Sequence, residues 1–555
     1  MPLIKILPVD LRNKIAAGEV VERPAAVVKE LVENSIDAKS TEISVEVLHG
    51  GKRMIKISDN GTGMDREDAL LCFEPHATSK LSTDAGLFNI TTMGFRGEAL
   101  PSIASVSKIK LITGLKGADS GVSVELIGGQ EKEIKDAPFS GTSVEVKDLF
   151  FNTPARKKFL KTNSTELYHI IDIVTKEALS HPEISFSLIT DNHETMILPK
   201  ASGFRERIMQ IYGDEFLSGL IEINNSYSDI KMESFLSNTS NFRNNKTYQF
   251  LFINRRPVKD PSVSHAVYSA YEGILPKDRH PVFFLFLELD PKKVDFNVHP
   301  TKREARFEDK EGIHRFLRTS IRDAIKEERA EYTRQFTELP GEVPVHTSNY
   351  EAVISHAVSE ISENTEFVYQ PSLPFIYMGD TFIAISGKSG LEIIDYHAAH
   401  ERILYERLLK KINLSSHHLL FPEQIKLSHK EYRIMLENKG ILHEFGIDID
   451  DFGHDTIIVR SLPDALSNAD TRGILLDIAS AIIEDIAPNK SVKEALAARI
   501  ACHKSVRGRK LLTQEEFSRL LTDLENAENP DQCPHGRPTR IFFSLDDLKK
   551  IFKKK

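Results

Sequence analysis

The feature that most limits how this chain can fold is a stretch from which one charge sign is missing. Between Arg334 and Lys388 there is no lysine or arginine, while acids, serine, threonine and proline recur. Such a segment carries too little apolar surface to offset the entropy lost on ordering. Residues 335–365 therefore read as a linker, with one short apolar piece, Ala352–Val358, able to form a transient helix. The chain must fold as separate regions on its two sides. Its 555 residues suit roughly three or four domains of about 100–200 residues each. The expected divisions are 1–212, 213–333, a linker over 334–366, and a last domain over 367–555.

Apolar spacing at Val27, Val28, Leu31 and Val32, behind a proline, predicts a helix over Pro24–Ile36. Alternation predicts strands at Glu42–Leu48, Met54–Ser58, Ser107–Thr113 and Gly121–Ile127. A helix followed by strands suits an α+β sandwich, helices on one face of a mostly antiparallel sheet. A second α+β block is expected from Gly213 to Thr333, with strands at Tyr248–Ile253 and Pro281–Leu287 and a closing helix over Lys310–Arg329. Strands resume at Phe382–Ser386 and Gly390–Ile394.

Four pieces carry chemistry. Glu30 and Asn34 are four apart on the predicted helix and project from one face. A carboxylate there can take a proton from water, and a carboxamide oxygen one turn on can ligate Mg²⁺. The bland alternative is a polar helix surface. Asp59–Met64 (DNGTGM) follows a strand; its acid can accept from an exocyclic amine, though a plain turn reads the same way. Gly94–Leu100 (GFRGEAL) is a glycine-bearing loop entering a helix, able to offer N–H groups to phosphates. It is not a Walker loop. Gly141–Val146 is a strand entered through glycine.

In this order and spacing the four pieces resemble the ATPase superfamily of gyrase, the ninety-kilodalton heat-shock chaperone, histidine kinases and MutL. Within it, Ile15–Arg23 (IAAGEVVER), Lys29–Ala38 (KELVENSIDA), His76–Lys80 (HATSK), Gly94–Leu100 and Phe151–Leu160 (FNTPARKKFL) are similar to signatures of the MutL family of mismatch-repair proteins. The resemblance spans nearly the whole chain apart from the linker. It implies an N-terminal ATPase sandwich, a second domain of ribosomal-protein-S5-like type and a C-terminal dimerisation domain. It also implies roles. Glu30 would be the general base and Asn34 the Mg²⁺ ligand. Asp59 would read adenine, Gly63 would border it and Thr142 would close the base pocket. Thr78, Ser79, Gly94, Phe95, Arg96 and Gly97 would form the phosphate lid. Lys302 would reach the terminal phosphate of ATP. In the middle domain, Arg255, Arg256 and Lys259 would edge a DNA groove; a solvated charged edge is the equal alternative.

The C-terminal half has its own candidates. A strand ends at Asp395 and a helix begins; His397 and Glu401 are four apart on it, and Glu406 lies five further on. Of the three cysteines, Cys72 sits alone in an apolar run, while Cys502 and Cys533 each lie beside a histidine. Cys533 and His535 in a Pro/Gly turn hold two metal-binding groups close together. These segments resemble the endonuclease-competent class of MutL. The resemblance implies Asp395, His397, Glu401, Cys533 and His535 as ligands of Mn²⁺ or Zn²⁺, with Cys502 added and Glu406 behind them, and Asp395 and Glu401 in DNA nicking. His417–Pro422 (HHLLFP) occupies the place of a peptide that docks on the replication sliding clamp, with His417 where glutamine is usual; a buried strand is the alternative. Homodimerisation, DNA and a MutS-type mismatch sensor are the other partners implied.

Formal net charge of -9 argues against a surface coated in basic charge, though local basic patches can still meet phosphates. MPLIKILPVD does not read as a signal peptide, and no apolar run is long enough for a membrane span. Few cysteines suit a reducing compartment, so the expectation is a cytoplasmic protein, nucleoid-associated if bacterial. Two rivals remain: a MutL-type matchmaker ATPase without nuclease activity, and another ATPase of the same superfamily.

Overall fold

The computed structural model describes residues 21–337 and 375–551, except 81–91, 95–96, 119, 239–240, 244, 276–278, 296–304, 379–380, 388–389, 411–415, 464–465, 467–470, 485–491, 506–511 and 535. The proposed linker beyond residue 337 and the piece Ala352–Val358 lie outside the described residues. Two compact units emerge. One takes the described residues of Met1–Arg329 with Gln424–Glu437 and Asp450–Ile458; the other takes those of Ala330–Glu423, Asn438–Ile449 and Val459–Lys555.

The first unit opens with helix α1, Pro24–Asp37. Proline suits the first turn because its missing N–H would have no partner there. Val27, Val28, Leu31 and Val32 form the buried stripe. An eight-stranded sheet follows: β1 (Glu42–Leu48), β2 (Met54–Asp59), β3 (Lys108–Gly114), β4 (Gly121–Ile127), β5 (Gln130–Ala137), β6 (Gly141–Lys147), β7 (Ser185–Thr190) and β8 (His193–Leu198), in the order β5-β4-β3-β6-β2-β1-β7-β8. Within this sheet only β1 and β7 pair in parallel. Alternation places Ile43, Val45 and Val47 of β1 and Ile55 and Ile57 of β2 in the core. Helix α2, Asn163–Ser180, packs on α1; its N-terminus is capped by the Thr162 hydroxyl, which accepts from the Thr165 N–H.

A five-stranded sheet follows in the same unit. Its strands are β9 (Leu220–Tyr227), β10 (Ile230–Ser237), β11 (Gln249–Ile253), β12 (Arg256–Val258) and β13 (Phe283–Glu288), ordered β12-β11-β13-β10-β9. Val263, Ala266, Val267 and Ala270 of helix α3 (Pro261–Ala270) cover one face with Ile313, Leu317, Ile321 and Ile325 of helix α4 (Lys310–Thr337). Helix α4 runs past the expected Arg329. The other face presents Phe250, Phe252, Phe284 and Phe286 to the first core. Asn254 and Arg255, both at positive φ, make the two-residue turn from β11 into β12.

In the second unit, β14 (Phe375–Met378), β15 (Phe382–Gly387), β16 (Gly390–Asp395) and β17 (Arg540–Ser544) form one antiparallel sheet in that order. Helix α5, Tyr396–Leu409, leaves directly from β16 and packs against α6 (Val492–Ser505) and α7 (Gln514–Glu525). Ile383, Ile385 and Ile394 meet Tyr396, Ala399, Phe517 and Leu520 in its core.

Candidate functional site

A cavity of about 1460 Å³ lies along α1. Glu30, Asn34, Asp59, Gly63, Thr78, Ser79, Gly94, Gly97 and Thr142 all line it, so segments far apart in sequence meet around one cavity. Phe95, Arg96 and Lys302 lie outside the described residues.

Strand register builds the deep end. Asp59 on β2 stands opposite Thr142 on β6, and Thr142 stands opposite Thr113 on β3. One row thus carries a carboxylate and two hydroxyls across three strands. The Ser35 hydroxyl donates to Asp59 Oδ2 at 2.7 Å, and the Gly61 N–H donates to Oδ1 at 2.9 Å. Burial raises the Asp59 carboxyl above its ordinary value, and these hydrogen bonds pull the other way. Thr113 donates to the Gly141 carbonyl at 3.0 Å and accepts from the Met64 N–H at 3.0 Å. Its remaining lone pair takes the Thr142 hydroxyl proton at 3.1 Å. The Thr142 oxygen therefore keeps acceptor capacity for a ligand. Gly63 is at φ +70°, and a Cβ there would lie 2.0 Å from the Gly114 carbonyl oxygen. Any other residue would displace that wall.

The other end is charged. Lys29 lies 2.6 Å from Glu33 and 3.7 Å from Glu30. Burial opposes its charge, yet Glu33 and Glu30 hold its pKa above the usual lysine range. Behind them Glu177 is fully buried, and neither carboxyl oxygen has a hydrogen-bond partner among the described residues. Its pKa is raised by burial and then by Glu33.

The loops meet at the rim. The His76 N–H donates to the Gly97 carbonyl at 3.1 Å. Gly97 is at φ +62°, and a Cβ there would lie 2.4 Å from the Ala77 carbonyl oxygen. Of the basic trio read as a DNA edge, Arg256 is 8% exposed, lines the cavity and donates to the Thr92 carbonyl. Arg255 ion-pairs with Glu183 at 2.6 Å, and Lys259 is exposed at the cavity edge. Ser35, Asp37, Lys80, Thr113 and Arg256 line or support the cavity without having been singled out for it.

The C-terminal candidates gather differently. Asp395 ends β16 and caps α5, its Oδ1 accepting from the N–H groups of His397 and Ala398, each at 3.0 Å. The Asp395 N–H donates to the Thr539 carbonyl at 2.9 Å, and Ile394 pairs with Arg540. The turn bearing Cys533 is thereby brought to the start of α5. Cys533 is 1% exposed, and the turn closes through the Cys533 N–H to the Arg537 carbonyl at 2.8 Å. Glu406 accepts from the N–H groups of Glu528 at 2.8 Å and Asn529 at 3.2 Å, and Arg402 donates to the Gln532 carbonyl. Both side chains tie α5 to the segment leading to Cys533. Glu401 lies on α5. Cys502 lies on α6, which packs against α5; its side chain and the whole of His535 are outside the described residues. Among the described residues no three His, Cys, Asp or Glu side chains converge as a metal site. His417–Pro422 lies on a strand, Ser416–Lys426, and Phe421 is 81% exposed rather than buried. No helix among the described residues is long and apolar enough to cross a membrane.

This fold and cavity define an ATPase domain. The model for histidine kinase-, DNA gyrase B- and HSP90-like ATPases matches residues 22–143. A model for the C-terminal domain of DNA mismatch repair proteins matches residues 208–326, and one for the MutL C-terminal dimerisation domain matches 376–512. The chain is 41% identical over 555 residues to the DNA mismatch repair protein MutL of Thermodesulfovibrio yellowstonii, covering 100% of both. It is 38% identical over 590 residues to MutL of Caldanaerobacter subterraneus, again covering 100% of both. Among solved structures, the N-terminal domain of a DNA repair protein aligns at a TM-score of 0.50 and 27% identity, over 58% of this chain and 99% of that one. The chain belongs to the MutL family of DNA mismatch repair proteins.

Proposed function

We propose that this chain is an ATP-gated, homodimeric repair clamp that links mismatch recognition to strand removal and nicks DNA at a metal site in its C-terminal half. The observation that carries the reading is the convergence of Glu30, Asn34 and Asp59 on one cavity. Asp59, backed by Ser35 and beside Thr142, accepts from the amine of adenine. The glycine loop, whose Gly94 and Gly97 line the cavity, is the proposed phosphate contact. Glu30 takes the proton of the attacking water, with the Lys29 ammonium 3.7 Å away. Asn34 offers a hard oxygen suited to Mg²⁺, which when bound screens the phosphate charge. Lys302 is the proposed contact of the terminal phosphate.

Dimerisation has its own support. Ile376, Ala384, Ile393 and Ile541 form one apolar row across the four C-terminal strands, with Ile376 70% and Ile541 50% exposed. A two-fold partner offering the same face would remove that row from water. For the nuclease, Asp395, His397, Glu401, Cys502, Cys533 and His535 would hold Mn²⁺ or Zn²⁺. The support is the strand pairing and hydrogen bonds that gather the Asp395 and Cys533 segments. Such a metal would activate water and orient a phosphodiester. DNA, a MutS-type mismatch sensor and, through exposed Phe421, the sliding clamp are the proposed partners in a cytoplasmic, nucleoid-associated setting. The test is nicking of supercoiled plasmid by the full chain with Mn²⁺. Nicks that appear with Mn²⁺ and not with chelator support the nuclease; ATP hydrolysis with no nicks leaves a matchmaker ATPase.

A further inference from the structure

The Asn34 carboxamide oxygen already has a cation beside it. The Lys80 ammonium donates to Asn34 Oδ1 at 2.9 Å and to Asp37 Oδ2 at 2.5 Å. Asp37 is fixed from its other side, its Oδ1 accepting the Met93 N–H at 2.8 Å and its Oδ2 the Gly94 N–H at 3.1 Å. Gly94 completes the corner. A Cβ on it would fall 3.3 Å from Lys80 Nζ, 3.7 Å from Asn34 Oδ1 and 3.9 Å from Asp37 Oδ2. The Asn34 oxygen thus meets a cation that the chain itself supplies.

We propose that Lys80 is a tethered placeholder cation that gives up Asn34 to Mg²⁺ when nucleotide enters, and so sets the metal dependence of nucleotide binding. The proposal rests on the reading of Asn34 as the Mg²⁺ ligand. An amide oxygen serves an ammonium and a hard metal ion through the same lone pairs. Two positive charges do not share one neutral oxygen at contact distance, because their repulsion in a partly buried site exceeds what a single dipole returns. Asp37 differs from Asn34 in carrying full negative charge. It retains the ammonium after Asn34 is released, and the four-carbon stem of lysine allows that shift with little backbone movement. Without metal, Lys80 offsets the carboxylates around it and leaves the site tolerant of a polyphosphate. With metal, it becomes redundant at Asn34.

The experiment measures equilibrium binding of a non-hydrolysable ATP analogue by calorimetry, in chelator and across a Mg²⁺ titration, for wild type, Lys80→Met and Lys80→Arg. Circular dichroism checks that each variant is folded. The expected result is that Lys80→Met binds metal-free nucleotide roughly tenfold or more weakly, the scale of one charge lost near phosphates. Its Mg²⁺-bound affinity stays near wild type, and its half-saturating Mg²⁺ falls. Lys80→Arg, still cationic, retains metal-free binding. Equal weakening by Lys80→Met with and without Mg²⁺ would make Lys80 an ordinary phosphate contact and overturn the proposal. So would Lys80→Arg behaving like Lys80→Met, since charge would then not be the variable. Failure of the underlying reading looks different: Asn34→Ala would leave the Mg²⁺ dependence of wild type intact.

Discussion

The Ser35 hydroxyl donates to the Asp59 carboxylate across 2.7 Å, joining the interior of α1 to the end of β2. The helix that carries Glu30 and Asn34 is thus locked to the strand that carries the proposed base-reading acid. A hydrogen bond to a charged acceptor contributes about 1.5–3 kcal/mol. Ser35→Ala should therefore weaken ADP and ATP binding alike, by roughly tenfold. Calorimetry with both nucleotides checks this; a loss confined to ATP would place Ser35 at the phosphates instead.

Glu30 is held near Lys29 but takes no part in the row that would bind the base. Glu30→Ala should keep nucleotide affinity and lower hydrolysis by about 10²–10⁴-fold, the usual contribution of a general base. Paired binding and phosphate-release measurements decide it. Unchanged turnover would remove Glu30 from the mechanism.

The elements that carry this site could be read from short-range patterns, while the roles of its residues came only from the resemblance to the MutL family. Glu30 and Asn34 share a helix face by spacing alone, and Asp59 follows an alternating strand. The C-terminal strand and helix around Asp395 were legible for the same reason. Thr113 was not, because its place depends on the register of β3 against β6, which pairs residues far apart in the chain. Ser35 and Asp37 look like ordinary polar helix residues until Asp59 and the Met93–Gly94 backbone arrive beside them. Arg256 was misread as part of an outer basic edge. Its guanidinium is buried on the Thr92 carbonyl, a tertiary contact that a run of basic residues does not signal.

Glu177 makes the stability of the first unit depend on pH. Its folded-state pKa is raised, first by burial and then by Glu33. The folded state therefore binds this proton more tightly than the unfolded chain does. The stabilisation is complete in acid and is lost as pH rises through the raised value. Melting temperature should fall from mildly acidic to alkaline conditions. Glu177→Gln, a neutral side chain of the same shape, should flatten that fall. Scanning calorimetry across pH tests it, and an identical slope in wild type and variant would show that Glu177 is not the titrating group.

The apolar row on the C-terminal sheet predicts an oligomeric effect. Ile541→Glu places a charge at the exposed end of the row, where a two-fold partner would have to bury it unpaired. That costs several kcal/mol, enough to shift a dimer to monomer at micromolar concentration. Light scattering on the full chain should report the monomer mass for the variant and the dimer mass for wild type. ATP hydrolysis by the isolated protomer should persist. A variant that stays dimeric would move the interface to another face.

The two oxygens of Asp395 allow its structural and proposed chemical duties to be separated. Oδ1 caps α5 through the His397 and Ala398 N–H groups. Asparagine caps a helix about as well as aspartate, whereas alanine loses roughly 1 kcal/mol. Asp395→Asn should therefore melt close to wild type, and Asp395→Ala a few degrees lower. A metal-binding role behaves otherwise, because a neutral amide is a far weaker ligand than a carboxylate. Both variants should lose Mn²⁺-dependent nicking to the same extent, despite their different stabilities, and both should keep ATP hydrolysis. Cys533→Ser should lower metal affinity for a separate reason, since a hydroxyl stays protonated where a thiol ionises to bind metal. Plasmid nicking, metal content and melting curves on these variants distinguish the duties. If Asp395→Asn nicks as well as wild type while Asp395→Ala does not, Asp395 is a helix cap and the metal assignment fails.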